Sequence, residues 1–368
     1  MTSRISIFSL AHWTRFKKSK TGLLGLFIIV CALLVAIFAY CIAPDSTTDA
    51  NLQTIEIQAK NPGYQQLFLM IPQQNAERES AIKVFFRGKK ASAIFIPISK
   101  YRINKDVLVV YKYIDDDTFA IQRYSINEVT QGHPENIANC FINKTYLLGT
   151  DGLGRDLLSR IIVGSRVSLS VGLVAVIISV CIGFLLGALA GYYQKTLDKI
   201  TMWFINVSWS IPTLLLVFAI TMTLGKGLIQ VFIAIGLTMW VNVARLVRSQ
   251  VLALKKMEYV EAAHVMGFSS RRIIFRHILP NMMGPLIVIA ASNFASAIII
   301  EAGLSFLGIG VQSPTPSWGL MIKENYTFII TDKPMQALIP GIAMMMLVLS
   351  FNFLGNGLRD AFDVKTTD

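Results

Sequence analysis

The sequence predicts an all-α polytopic membrane protein with six transmembrane helices and an inserted extracytoplasmic β-rich domain. Three observations predict it. The 368-residue chain is 54% hydrophobic and only 15% charged, against about 25% charged in ordinary soluble domains, and its mean hydropathy is +0.55. The apolar residues gather in six segments, roughly 22–43, 168–191, 201–224, 228–247, 282–303 and 336–357. Each approaches the ~20 residues that a helix needs to cross the hydrocarbon core. Most of the net charge of +12 flanks these segments. Arg4, Arg15, Lys17, Lys18 and Lys20 precede the first. Arg245, Arg248, Lys255, Lys256, Arg271, Arg272 and Arg276 surround Glu258 and Glu261 after the fourth. This is the positive-inside pattern. It implies membrane lipid as a partner and no nucleic acid, whose footprint would be a basic stripe on a soluble fold.

The elements run in order along the chain. Residues 1–21 form a basic cytoplasmic tail. Helix one, 22–43, is too long for a signal h-region and lacks a small-residue cleavage site, so it reads as a retained span. It exits, which places 44–148 outside. There the composition turns to Asn, Gln, Lys and Asp, and β-like runs recur at Ala81–Phe86, Ser92–Ile98, Val107–Tyr113 and Phe119–Tyr124. Arg87–Lys90 and Asp115–Asp117 are turn-prone stretches between them. The segment reads as a spacer or stability module, with substrate handling or partner docking as the alternative. Asp115–Asp117 reads as a solvated hairpin turn. Residues 149–167 form an outer-face amphipathic segment. The core, 168–360, holds the other five helices, and 361–368 is a cytoplasmic tail.

The connection 250–280 is the most informative stretch. Lys255–Met266 suits a short amphipathic helix. Ala262 and Ala263 favour helix with little bulk, which would let a partner approach closely. Gly267 tolerates positive φ and lets the chain reverse. Ser269 or Ser270 is placed to cap a helix Arg271–Leu279, and Pro280 marks a break before the membrane. Arg245 and Arg248, three residues apart, share a helix face.

The spacing Glu261-Ala262-Ala263, three residues, Gly267, then His277-Ile278-Leu279-Pro280 resembles the cytoplasmic EAA loop of binding-protein-dependent ABC importers. Three further stretches resemble the dipeptide/oligopeptide/nickel branch of that family. One contains Gly149, Asp151, Gly154, Arg155 and Asp156 and continues to Leu169. Another runs Glu301–Gly310 and Pro314–Gly319. The last is Leu354–Asp363. The four motifs cover roughly residues 1–43 and 145–368; segment 44–144 departs from the family, whose loop there is much shorter. The resemblance implies the type I importer permease fold in the bacterial inner membrane, with both termini cytoplasmic. It implies a second homologous permease, two ABC ATPase subunits and an extracytoplasmic solute-binding protein. ATP would be bound by partner subunits, with no cofactor in this chain. Glu261, Ala262, Ala263, Gly267, His277, Leu279 and Pro280 would form the ATPase-coupling loop, and the Gly149–Asp156 motif would form a hydrogen-bonded collar on the outer face. Short peptides are the implied cargo. Nickel or another small solute, or a non-transport scaffold or sensor, is the alternative.

Other chemistries find little support. Gly149, Gly152 and Gly154 are not followed by Lys-Ser or Lys-Thr at P-loop spacing. Cys31, Cys41, Cys140 and Cys181 form no CxxC pair, and His12, His133, His264 and His277 are far apart, so no metal site is expected. No HExxH or GxSxG occurs, and the chain reads as a non-enzyme. Glu301 is the one acid in the six spans and reads as a helix-end group meeting headgroups or water, or lining an outer vestibule. Secondary transporters normally carry intramembrane ionisable groups, so the energy is expected from a separate subunit. Met344–Met346 reads as flexible packing.

Overall fold

The computed structural model describes residues 10–73 and 80–362, with side chains from His12 onward. Arg4 of the basic tail, Asp363 of the last motif and the tail after it lie outside the described residues. Fourteen α-helices run in chain order among them. The first five are α1 (Leu10–Phe16), α2 (Lys20–Ile37), α3 (Ala39–Ile42), α4 (Ala81–Arg87) and α5 (Ile126–Val129). Then come α6 (Leu157–Tyr193), α7 (Lys195–Ser210), α8 (Thr213–Leu224) and α9 (Leu228–Leu254). The last are α10 (Glu258–Val265), α11 (Ser270–Ile273), α12 (Leu279–Phe306), α13 (Trp318–Asn325) and α14 (Met335–Phe362). The chain forms two compact units, one of residues 1–33, 168–312 and 344–368, the other of 34–167 and 313–343.

In the first unit, α6 and α9 pack backbone to backbone. Gly183, Gly187 and Gly191 recur every fourth residue on α6, and a Cβ on any of them would collide with α9. At Gly183 it would lie 2.8 Å from the Trp240 carbonyl, and at Gly191 2.9 Å from that of Arg248. Small residues at this spacing are how helices approach closely where lipid supplies no hydrophobic drive. Beside the seam, Phe184, Ala188 and Tyr192 of α6 and Val243, Val247 and Val251 of α9 form one buried cluster.

Among the described residues five helices are long and apolar enough to cross a membrane: α2, α6, α9, the continuous run Ser270–Phe306, and α14. The expected single helix 201–224 is broken instead. α7 and α8 meet at 96°. Pro212 is the cause, because it lacks an N–H and excludes the residue before it from helical ψ. Ile211 accordingly sits at φ −95°, ψ 128°. A second correction concerns Pro280. It does not break the chain, because residues Ile274–Ile278 adopt a π-turn and α12 begins with the proline in its first turn. A widened turn removes the clash that a proline ring makes with the carbonyl four residues back. The Asn281 amide then donates to the His277 carbonyl at 2.7 Å.

The second unit contains a five-stranded antiparallel sheet. Its strands are β1 (Tyr64–Pro72), β2 (Ala93–Asn104), β3 (Val107–Tyr113), β4 (Phe119–Ser125) and β5 (Phe141–Tyr146), in the order β4-β3-β2-β1-β5. Leu69, Ile98, Leu108 and Val110 fill one face under Ile126 and Val129 of α5. The run Ala81–Phe86, expected as a strand, is helix α4. Its apolar composition suggested β, but Gly88 at φ +78° closes a helical turn by donating to the Val84 carbonyl at 2.8 Å. Strands β1 and β5 escape a pattern reading because Gln65-Gln66 and Asn143-Lys144 interrupt the alternation. Gln66 is nonetheless buried, donating to the Ile98 carbonyl at 2.9 Å and accepting from the Tyr64 hydroxyl at 2.6 Å.

Candidate functional site

Helix α10 carries the Glu-Ala-Ala motif. Its last turn closes as a Schellman motif. Phe268 N–H donates to the Ala263 carbonyl at 3.1 Å and Gly267 N–H to that of His264 at 3.0 Å, with Gly267 at φ +77°. A left-handed residue at this position is what glycine supplies without steric cost. Nothing lies within 4 Å of where a Cβ on Gly267 would sit, so backbone conformation alone asks for glycine. Ser269 then caps α11 by accepting from Arg272 N–H at 3.4 Å, which settles the choice between the two serines.

The helix has two unlike faces. Val260 and Ala263, one turn apart, are buried against Ile273, Ile274 and Ile278, in the same cluster that holds α6 and α9 together. Glu261, Ala262, His264, Val265 and Met266 are exposed. The two alanines therefore do different work. Ala262 is exposed, whereas Ala263 faces inward, so the expectation of two alanines open to a partner is corrected at Ala263, which is buried in the chain's own core. The two basic side chains expected on one face of α9 are already engaged. Arg248 pairs with Asp198 through Nε at 2.5 Å and Nη2 at 2.7 Å, and the Arg245 guanidinium lies 3.7 Å from the Trp209 ring centre. Lys255 reaches back to the Tyr192 carbonyl at 2.8 Å. His277 lies in the π-turn, its ring stacked on Phe268 at 5.9 Å with a buried Nε2 that has no hydrogen-bond partner among the described residues. Leu279 packs against the same cluster, next to Pro280.

The second candidate is the turn from Gly149 to Arg160. Gly149 and Gly154 hold φ +79° and +69°, and a side chain on either would strike the backbone of the facing segment at Lys60 or Thr54. That segment is laced to the turn. Thr150 donates its hydroxyl to the Ile57 carbonyl at 2.5 Å and accepts from Lys60 N–H at 2.8 Å. Asp151 accepts from Leu153 and Arg155 N–H at 2.9 and 3.0 Å and from Arg155 Nε at 2.7 Å. Arg155 continues to Glu324 at 2.6 Å and Asn51 at 3.2 Å. Arg160 sits 3.4 Å from both Asp151 and Glu324. Asp151, Arg155 and Arg160 are at most 1% exposed. Two guanidinium groups facing two carboxylates neutralise one another, as buried charges must. Asp156 opens α6 by accepting from Ser159 N–H at 2.9 Å. Burial pushes its carboxyl above the usual range, against the pull of the Ser159 bonds.

Sequence reasoning did not single out Glu324, Asn51 or Asn325, whose side chain accepts from Gly152 N–H at 3.1 Å. The turn itself holds two arginines and two aspartates, so its own charge balance gave no signal that a distant carboxylate joins it. Glu301 is also placed differently from expectation. It is 1% exposed within α12, so it does not meet headgroups. Its carboxylate accepts from Ser305 Oγ at 2.6 Å, and Ser305 Oγ accepts from Val311 N–H at 3.1 Å, fixing the turn after α12. Asp116 likewise is more than a solvated turn residue, accepting from Lys60 at 2.9 Å and from the Tyr113 hydroxyl at 2.5 Å. Among the described residues no group of His, Cys, Asp and Glu could hold a metal ion.

Comparison with known proteins shows the family of the chain. Residues 183–368 match the family described as "binding-protein-dependent transport system inner membrane component". Residues 6–62 match the "N-terminal TM domain of oligopeptide transport permease C". The chain is 41% identical over 223 residues to the glutathione transport system permease protein GsiD of Pectobacterium atrosepticum, covering 61% of this chain and 74% of that one. It is 43% identical over 217 residues to the dipeptide transport system permease protein DppC of Alkalihalophilus pseudofirmus, covering 59% and 71%. It is 39% identical over 223 residues to the oligopeptide transport system permease protein OppC of Bacillus subtilis, covering 61% and 73%. The chain thus belongs to the inner-membrane components of binding-protein-dependent transport systems, a family of multi-pass ABC importer permeases.

Proposed function

We propose that this chain is the permease subunit of an ATP-driven importer of short peptides. It works with a second homologous permease, two ABC ATPase subunits that bind the ATP, and an extracytoplasmic solute-binding protein. Both termini and the loop 250–280 face the cytoplasm. α7 and α8 count as one bent span, giving six, and residues 44–148 with their sheet lie outside. The carrying observation is the two-faced α10. Its outer face offers Glu261, Ala262, Val265 and Met266 to a visitor, and its inner face, Val260 and Ala263, is rooted in the core of α6 and α9. A push on one face therefore moves the other.

In this reading an ATPase dimer that closes on ATP grips α10 of both permeases and rocks their helices. Hydrolysis releases them. The drive is the difference in how tightly the loop binds the two ATPase states, since a ligand shifts an equilibrium only by its differential affinity. The 149–160 cluster, its charges paired with one another and with Glu324, serves as a rigid collar, not as a transport site. The reading is supported by relatives whose names record peptide, dipeptide and glutathione transport.

Gly267→Pro tests it, because proline cannot hold φ +77° and the Schellman turn would open. The assembled complex should insert and bind its solute-binding protein, yet lose peptide-stimulated ATP hydrolysis in proteoliposomes. Normal ATP-driven uptake of a labelled tripeptide by that variant would refute the lever.

A further inference from the structure

A cavity of about 520 Å³ opens between α9, α12 and α14 in the first unit. That volume is typical of small-ligand sites. Leu246, Pro285, Val288 and Phe362 contribute apolar wall, while Gln250, Ser292 and Arg359 bring three polar groups to the same space. None of those three side chains has a hydrogen bond or ion pair among the described residues. The neighbouring arginines of this unit behave otherwise, Arg248 being paired with Asp198 and Arg245 stacked on Trp209. Ser292 is also unusual for a serine in a spanning helix. Ser179, Thr221, Ser249 and Ser350 return their hydroxyls to a carbonyl one turn back, and Ser292 does not. A cation, an amide and a hydroxyl are thus left uncommitted around an apolar pocket.

We infer that this cavity binds the carboxylate end of a short peptide on its way through the permease. Arg359 takes the carboxylate, Gln250 pairs with a backbone amide, and the apolar wall accepts small or apolar side chains. A guanidinium is suited to a carboxylate because its planar fork makes two parallel charge-assisted bonds. Gln250 both donates and accepts, as an amide backbone requires, and an apolar wall favours small or apolar side chains over charged ones, whose burial would be unpaired. An anionic lipid headgroup would also use Arg359, and the test below separates it from a peptide carboxylate. The site rests on the peptide-importer reading and deepens it. It also touches the two helices that flank the α10 loop, since Gln250 precedes the end of α9 by one turn and Pro285 lies near the start of α12.

The test uses the assembled transporter in nanodiscs, without its solute-binding protein, carrying Ser292→Cys as a reporter. Because Cys31, Cys41 and Cys181 are also exposed, labelling by N-ethylmaleimide is read by mass spectrometry at position 292. Trialanine should slow that labelling. Trialanine amide should protect about tenfold less well, and a second change, Arg359→Gln, should weaken trialanine protection to the same degree, as loss of a charge-assisted pair requires. Equal protection by acid and amide, or protection indifferent to Arg359→Gln, overturns the site. So does labelling that responds to phosphatidylglycerol in the disc and not to peptide, which makes the cavity a lipid site. ATP-driven tripeptide uptake by the wild-type transporter is measured in parallel. Uptake without protection sinks the site and leaves the importer reading standing, whereas a transporter that imports other solutes but no peptide sinks that reading.

Discussion

Both the turn at 149–160 and the loop at 255–280 reverse the chain through a glycine at positive φ, and both are rich in arginine. They differ in how their polar groups are spent. In the first, Asp151, Arg155 and Arg160 are buried and bonded inward to Glu324 and Asn51. In the second, Glu261, Ala262, Val265 and Met266 are exposed. A region whose charges are paired within the chain holds shape. A region whose surface groups are unspent is available to another molecule. Similar motif residues thus carry opposite burdens, and the accounting of partners distinguishes them better than composition does.

The largest effect that would break the comparison is at Asp151. Asp151→Ala leaves Arg155 and Arg160 buried with half their counter-charge and should destabilise by about 3–5 kcal/mol. It would be read as lost yield and a lowered thermal midpoint in detergent. Glu261→Ala should leave that midpoint unchanged and lower coupled ATPase activity. If Asp151→Ala melts like the wild type, the cluster is not structural.

Next come the two glycines. Gly154→Ala places a Cβ against the Thr54 carbonyl and adds overpacking of about 1–3 kcal/mol to a positive-φ cost of about 1–2 kcal/mol. Gly267→Ala has only the second cost, having open space around it. Thermal midpoints of the two variants should therefore separate, with Gly154→Ala the lower. Within α10 the contrast sharpens further. Ala263→Leu should cost about 1–3 kcal/mol by crowding Ile273 and Ile278, while Ala262→Leu should keep stability and weaken ATPase association in a pull-down. Reversal of that order would mean α10 is seated the other way round.

The smallest effect belongs to Asp116. Its bonds to Lys60 and the Tyr113 hydroxyl hold its carboxyl below the usual range. The folded form thus prefers the ionised group, so the contribution is present above the ordinary carboxylate pKa and fades as pH falls through the lowered value. Asp116 is largely exposed, and the pair is worth at most about 1 kcal/mol. Asp116→Asn should remove that acid-side slope in a melting-versus-pH series and change little at neutral pH.

Much of this was legible in the chain. Long apolar runs announced the spanning helices, because backbone in lipid must bond to itself. Gly267 announced a reversal, because few other residues hold its φ. The break at Pro212 was also written in the sequence, but hydropathy averages across a proline and cannot register a bend. Ala263 could not be told from Ala262, since which methyl turns inward depends on Ile273 and Ile278 arriving from beyond the turn. β1 stayed hidden because a buried glutamine looks polar until its partner at Ile98 is known. The glycine row 183, 187 and 191 was readable as a helix-packing signal and is the clearest sign that sequence reasoning passed over.

The widened turn at Ile274–Ile278 has one more consequence. An α-helix advances about 100° per residue, so a single extra residue taken up there resets the angular phase between the segments on its two sides. The direction in which α10 presents its exposed face is therefore geared by one residue's worth of rotation to the long helix beyond. Shortening the chain by one position inside that turn would keep every motif residue present and still aim them elsewhere.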